Sequence, residues 1–172
     1  SQQDLDQLIG DFGYITRDVF GKLMEDSSFS TLVMQKFQQL PPQASEALLA
    51  AVKASQIVSL SLLNTGMAST DLQYLMGSLP VTIECLRIGH NNLGDDATMG
   101  QLFDGIKEMS LTALDMSNIR CGTSTALKVA EVLSDDTTLR GSLTDLDIRM
   151  NDIGLDGAKA LAAVLPGSSL RS

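Results

Sequence analysis

Few side chains in this sequence are of a type that performs chemistry. His90 is its single histidine, and Cys85 and Cys121 are its two cysteines. A general base needs a nucleophile or an oriented substrate group, and no Ser-His-Asp or Cys-His spacing supplies one, so His90 reads as a surface residue. The two thiols form no CxxC pair, which provides neither a disulfide framework nor a zinc site and fits the reduced thiols of a cytosol-like compartment. No catalytic residue, metal or cofactor is expected, and the chain is read as non-enzymatic.

What remains are charged groups placed for recognition: Asp115, Asp145 and Asp147, with Arg87 and Arg149 near them. They occupy alternate positions of short segments such as Leu146-Asp147-Ile148-Arg149, where a period of two sends one set of side chains inward and the other outward on a strand.

Those segments recur. The cleanest copy carries Leu143, Leu146, Ile148, Asn151, Ile153, Gly154, Gly157, Ala158, Leu161, Ala162 and Leu165. A stretch 32 residues earlier holds Leu111, Leu114, Met116, Ile119, Cys121, Gly122, Thr125, Ala126, Val129, Ala130 and Leu133. Another 28 residues back stand Ile83, Leu86, Ile88, Asn91, Leu93 and Gly94, then a helix face of Met99, Leu102, Phe103 and Ile106 slipped by one residue. A further 26 back lie Ile57, Leu60, Leu62, Thr65, Met67, Leu72, Leu75 and Leu79. Each copy ends in helical spacing, as in Ala158, Leu161, Ala162, Leu165, so a helix is expected to lay its apolar stripe on the strand layer. One strand and one helix cannot bury their own faces, and the copies must therefore stack.

The pattern L-x-x-L-x-L-x-x-N-x-I-G-x-x-G-A-x-x-L-A resembles the leucine-rich-repeat family, in particular its ribonuclease-inhibitor-like subfamily, from about Ile57 to Ser172. The resemblance implies an α/β solenoid of about four repeats over 55–172, with parallel strands on the concave side and helices on the convex side. It implies that Asn91 and Asn151 hydrogen-bond backbone groups of the turns. Thr65 and Ile119 replace that Asn in the other two copies, and irregular turns are expected there. It also implies that a partner is met by outward strand residues: Ser61, Leu63, Arg87, Asp115, Asp145, Asp147 and Arg149. Carboxylates on adjacent strands about 4.8 Å apart suit a protein partner with a basic surface. The segment after Leu133, SDDTTLRGS, carries extra residues and is expected to form a longer loop at the rim.

Charge narrows the partner. Twelve Lys and Arg against 21 Asp and Glu leave a formal charge of −9, which disfavours nucleic acid and anionic membranes. Aromatic residues are 4% and Trp is absent, so Leu, Ile, Val, Met and Ala must fill the core. Met67, Met76, Met99, Met109 and Met116 are read as core filler, with Met150 as the exception. No apolar run is long enough to span a bilayer, and no signal-peptide pattern stands at the start; a cytoplasmic location is expected.

Residues 1–54 do not fit the repeat. Leu5, Leu8, Ile9 and Phe12, then Val19, Phe20, Leu23 and Met24, follow helical spacing, and further helices are predicted over Phe29–Leu40 and Ala44–Ala54. This region is expected to be a helical cap over the first repeat. Gly13-Tyr14-Ile15-Thr16 followed by Asp18 resembles part of a calcium-binding helix-loop-helix, but its ligand positions would be Leu8, Gly10 and Phe12, which offer no carboxylate. At the other end Leu170 lies 27 residues after Leu143 and stands as the opening Leu of a fifth copy. The array is therefore expected to be cut short, leaving an apolar end that favours self-association.

The function expected is a protein-interaction module, part of a larger intracellular scaffold or sensor. Tropomodulin-like actin-capping proteins resemble the same degenerate repeats, which makes actin regulation an alternative, although no matching actin- or tropomyosin-binding helix is present. Ran GTPase-activating proteins resemble this repeat type too, but their arrays are longer.

Overall fold

A computed structural model describes Lys53 and residues 57–171. The helices predicted over 1–54, and the cap they would form, lie outside the described residues but for Lys53, which is helical. Four short strands, β1 (Ser59–Ser61), β2 (Cys85–Arg87), β3 (Ala113–Asp115) and β4 (Asp145–Asp147), form one parallel sheet in the order β1-β2-β3-β4. The register is the one the repeat spacing predicts, with Leu60, Leu86, Leu114 and Leu146 side by side. Each strand is entered by the same rung: Glu84 N–H donates to Val58, Thr112 to Glu84 and Thr144 to Thr112. Arg171 N–H donates to Thr144 in the same way.

The strands alternate with α1 (Ser69–Met76), α2 (Asp96–Ile106), α3 (Thr123–Ser134) and α5 (Gly154–Val164), while α4 (Thr138–Ser142) stands between α3 and β4. α1 packs on α2, α2 on α3 and α3 on α5, so each strand-helix unit touches its sequence neighbours. Leu60, Leu86 and Leu114 join Leu72, Leu102 and Val129 in a single core cluster of strand and helix residues. The one-residue slip of α2 is real: Met99, Leu102, Phe103 and Ile106 are all buried. Its cause is local, since Asp95 N-caps α2 by accepting from Thr98 N–H at 2.8 Å.

Two expectations fail. The extra residues after Leu133 form α4, not a loop, because Thr137 N-caps it and Leu139, 1% exposed, plugs the core beneath it. Arg140 holds this insert by donating to the carbonyls of Ser134 and Gly167. The second failure is the helix stripe of the last copy. Ala158 and Ala162 are exposed, and Leu165 is 49% exposed, because α5 has a neighbouring helix only on its α3 side among the described residues.

The N-terminus of α3 shows what a missing cap costs. Thr98 of α2 donates its N–H to the Asp95 carboxylate at 2.8 Å, with its side chain beside the same carboxylate. Thr125, the corresponding residue of α3, has Gly122 as N-cap and finds no such acceptor; its hydroxyl is enclosed and without a hydrogen-bond partner. Thr125→Val keeps the β-branched shape and removes a desolvated hydroxyl. It is expected to stabilise the fold by about 1 kcal/mol in a urea or thermal unfolding curve. A loss of stability would show that the hydroxyl is satisfied after all.

Candidate functional site

Strand ends and turns position the outward side chains. After each strand the chain reverses through a left-handed residue in the same place: Asn64 (φ 53°), His90 (φ 58°), Asn118 (φ 48°) and Met150 (φ 60°). Asn tolerates this conformation, whereas Met bears its cost with no local hydrogen bond in return. Met150 is 73% exposed, as its position predicts.

The two repeat asparagines tie neighbouring units together. Asn91 Oδ1 accepts from the N–H groups of Thr65 and Met67, and its Nδ2 donates to the carbonyls of Leu62, Ile88 and Gly89. Asn151 does the same one pair of units later, on Ile119, Cys121, Met116, Ile148 and Arg149. The copies that lack the Asn each have a second left-handed residue directly after its position, Gly66 (φ 74°) and Arg120 (φ 65°), but a second left-handed residue is not peculiar to them, since the copy with Asn151 has one at Gly154 (φ 62°). In the middle interface the Ile119 carbonyl takes over the missing role and accepts from Leu93 N–H at 3.2 Å.

On the sheet face turned away from the core, Ser59, Cys85, Ala113 and Asp145 form one column and Ser61, Arg87, Asp115 and Asp147 the next. Ser61 is 8% exposed and offers little surface, and Leu63 is half-buried. Arg87 and Asp145 are exposed and enter no ion pair among the described residues. Asp115 Oδ1 accepts from Ser117 N–H at 2.9 Å, and Asp147 Oδ1 accepts from Arg149 N–H at 3.0 Å. These two carboxylates thus serve the turns that follow them. The spacing Asp-x-Ser and Asp-x-Arg is the Asx-turn signal, legible in the sequence though not read there.

Arg149 Nη2 reaches Asp147 Oδ2 at 2.6 Å. The Arg149 hydrogen bonds hold the Asp147 carboxyl below its ordinary range, outweighing desolvation, and Asp147 raises the Arg149 guanidinium in turn. Among the described residues the face therefore presents one ion pair, Asp147–Arg149, and two exposed charges of opposite sign outside any ion pair, Arg87 and Asp145, of which Asp145 also helps to raise the Arg149 guanidinium. His90 Nδ1 lies 3.1 Å from Asn118 Nδ2 and accepts from that amide. Cys85 is half-buried, while burial pushes the Cys121 thiol up to about 11. Among the described residues no cluster of His, Cys, Asp or Glu is arranged to hold a metal ion.

The helix N-termini follow directly after these turns. Asp95 accepts from the Ser69 hydroxyl of the preceding unit and from Thr98, and these bonds, Ser69 first, lower its pKa from 3.8. A carboxylate depressed on folding stabilises above its unfolded pKa, and that contribution is lost as pH falls through the folded value. Asp95→Ala is expected to cost about 1 kcal/mol near neutral pH. The gap from the parent chain should narrow below pH 3.8. Unfolding curves at both pH values check this, and a gap that widens in acid would contradict it.

With this geometry in place, one comparison bears on family. Residues 142–162, which run from the end of α4 through β4 into α5, match the family model described as Leucine Rich repeat. No curated protein matches the chain. The match supports a leucine-rich-repeat protein, and domains of that kind commonly bind protein partners. No helix among the described residues is long and apolar enough to cross a membrane.

Proposed function

We propose that this chain is a non-enzymatic protein-interaction module, a ribonuclease-inhibitor-like solenoid over 55–172 behind a helical cap over 1–54, serving an intracellular scaffold or sensor. The observation that carries this reading is the sheet face. Among the described residues it is polar, it is not covered by a helix, and Arg87 and Asp145 stand exposed on it outside any ion pair. Charges held on a rigid strand layer need no ordering when a partner arrives, which lowers the entropic cost of binding. The proposed contact set is Ser61, Leu63, Arg87, Asp115, Asp145, Asp147 and Arg149. Within it Arg87 and Asp145 are expected to contribute most, because Asp115 and Asp147 are already engaged by the turns. The overall excess of acid favours a partner with a basic surface.

The test is affinity capture from a cell lysate with the parent chain and with an Arg87→Glu/Asp145→Lys variant of matched stability. Loss of specific proteins with the variant supports the strand face as the binding surface. An unchanged set of captured proteins sinks it.

A further inference from the structure

Arg87 is the one charged residue of β1 and β2, and its neighbour in register on β3 is Asp115. Opposite charges placed side by side on adjacent strands ordinarily pair. Here they do not, since Arg87 enters no ion pair among the described residues. The cause lies two residues further along each strand. Asp115 leans toward its own turn, where its Oδ1 accepts from Ser117 N–H at 2.9 Å. In doing so it fills the space over Gly89: a Cβ at residue 89 would lie 2.7 Å from Asp115 Oδ1 and 2.6 Å from Ser117 Oγ. Gly89 is not one of the left-handed residues, so what its missing side chain supplies is room for that carboxylate.

The face is thereby polarised along the sheet. Its β2 end carries Arg87, whereas its β4 end carries Asp145 and Asp147 against the single cation Arg149. Arg149 is held by Asp147 at 2.6 Å, which leaves Arg87 as the cation that a displaced Asp115 carboxylate would meet. A partner segment of one sign gains at one end of such a face what it loses at the other. A segment that carries both signs in the matching order gains at each.

We propose that Arg87 receives an aspartate or glutamate of the protein partner, that a lysine or arginine of the same segment lies over Asp145, and that Gly89 determines this specificity by keeping Arg87 open. This rests on the sheet face being the binding surface, and it narrows a basic partner surface to one that also presents a carboxylate. The two partner charges stand two strand spacings apart, roughly 10 Å. The probe is a random peptide library panned on the full chain. Recovered peptides should combine an acidic with a basic residue, and Arg87→Gln should weaken their binding at least about tenfold. Gly89→Ala should weaken it severalfold by turning Asp115 onto Arg87. Its two nearest contacts are the ends of flexible side chains, so the fold survives. Asp115→Asn added to Gly89→Ala should restore binding, because a neutral amide leaves Arg87 open. Peptides that carry bases alone, or that bind the Arg87→Gln chain as tightly as the parent, overturn the proposal; if Asp145→Lys still releases them, the sheet face remains the binding surface. Peptides indifferent to both residues, or none recovered, overturn the sheet-face reading as well. A Gly89→Ala chain that binds like the parent, or a loss that Asp115→Asn does not reverse, overturns the role of Gly89.

Discussion

Asn91→Ala is expected to remove on the order of 4 kcal/mol of stability, a large share of what a domain of this size possesses. Asn91 is 5% exposed. It serves two N–H donors, of Thr65 and Met67 at 3.1 Å each, and three carbonyls, of Leu62, Ile88 and Gly89. Truncation strands those two donors where water does not reach, and each stranded donor costs about 1–3 kcal/mol. Asn151 provides the internal control, since it makes the same set of bonds in a partly exposed setting. There water can replace the amide, and Asn151→Ala is expected to cost about 1–2 kcal/mol. Equilibrium unfolding of the two variants measures the difference. Equal losses would mean that burial does not set the value of the asparagine.

The contrast between these two residues also shows what the sequence could and could not reveal. The inward leucines of the strands are written as a period of two, and their repetition at spacings of 26, 28 and 32 sets the register before any coordinate is known. That a turn lacking Asn needs another way to tie its unit to the next could also be foreseen. How it would be repaired could not, because the repair uses backbone groups, which look alike in every sequence: the Ile119 carbonyl on Leu93 N–H and a left-handed Arg120. α4 escaped for a related reason, since its five residues are too short for a hydrophobic period and depend on the single anchor Leu139. At the candidate interface the outward columns were legible from alternation alone. The division of labour within them was not, because it turns on whether a carboxylate bends back to its own turn, as Asp115 and Asp147 do, or stands exposed, as Asp145 does.

The middle interface yields the second large effect. There the Arg120 backbone comes so close to Gly94 that a Cβ at residue 94 would lie 1.9 Å from the Arg120 carbonyl oxygen and 2.3 Å from its carbon. No side chain can rotate away to relieve this contact, because every atom involved belongs to the main chain. Gly94→Ala must therefore push the β2 and β3 turns apart, loosening the Leu93–Ile119 bond and the packing of Met116 and Ile119 behind it. The expected cost is at least about 3 kcal/mol, the upper range for overpacking. Gly100 tests the assignment to contact, as opposed to any general intolerance of alanine, since it lies inside α2 with nothing within 4 Å of its would-be Cβ. Gly100→Ala should stabilise the fold by up to about 1 kcal/mol through helix propensity alone. Opposite signs for the two glycines in one denaturation series are the expected result. If Gly94→Ala proved neutral, the turn at Arg120 would have to be far softer than its left-handed backbone and carbonyl contact imply, and the backbone repair of the missing asparagine would lose its support.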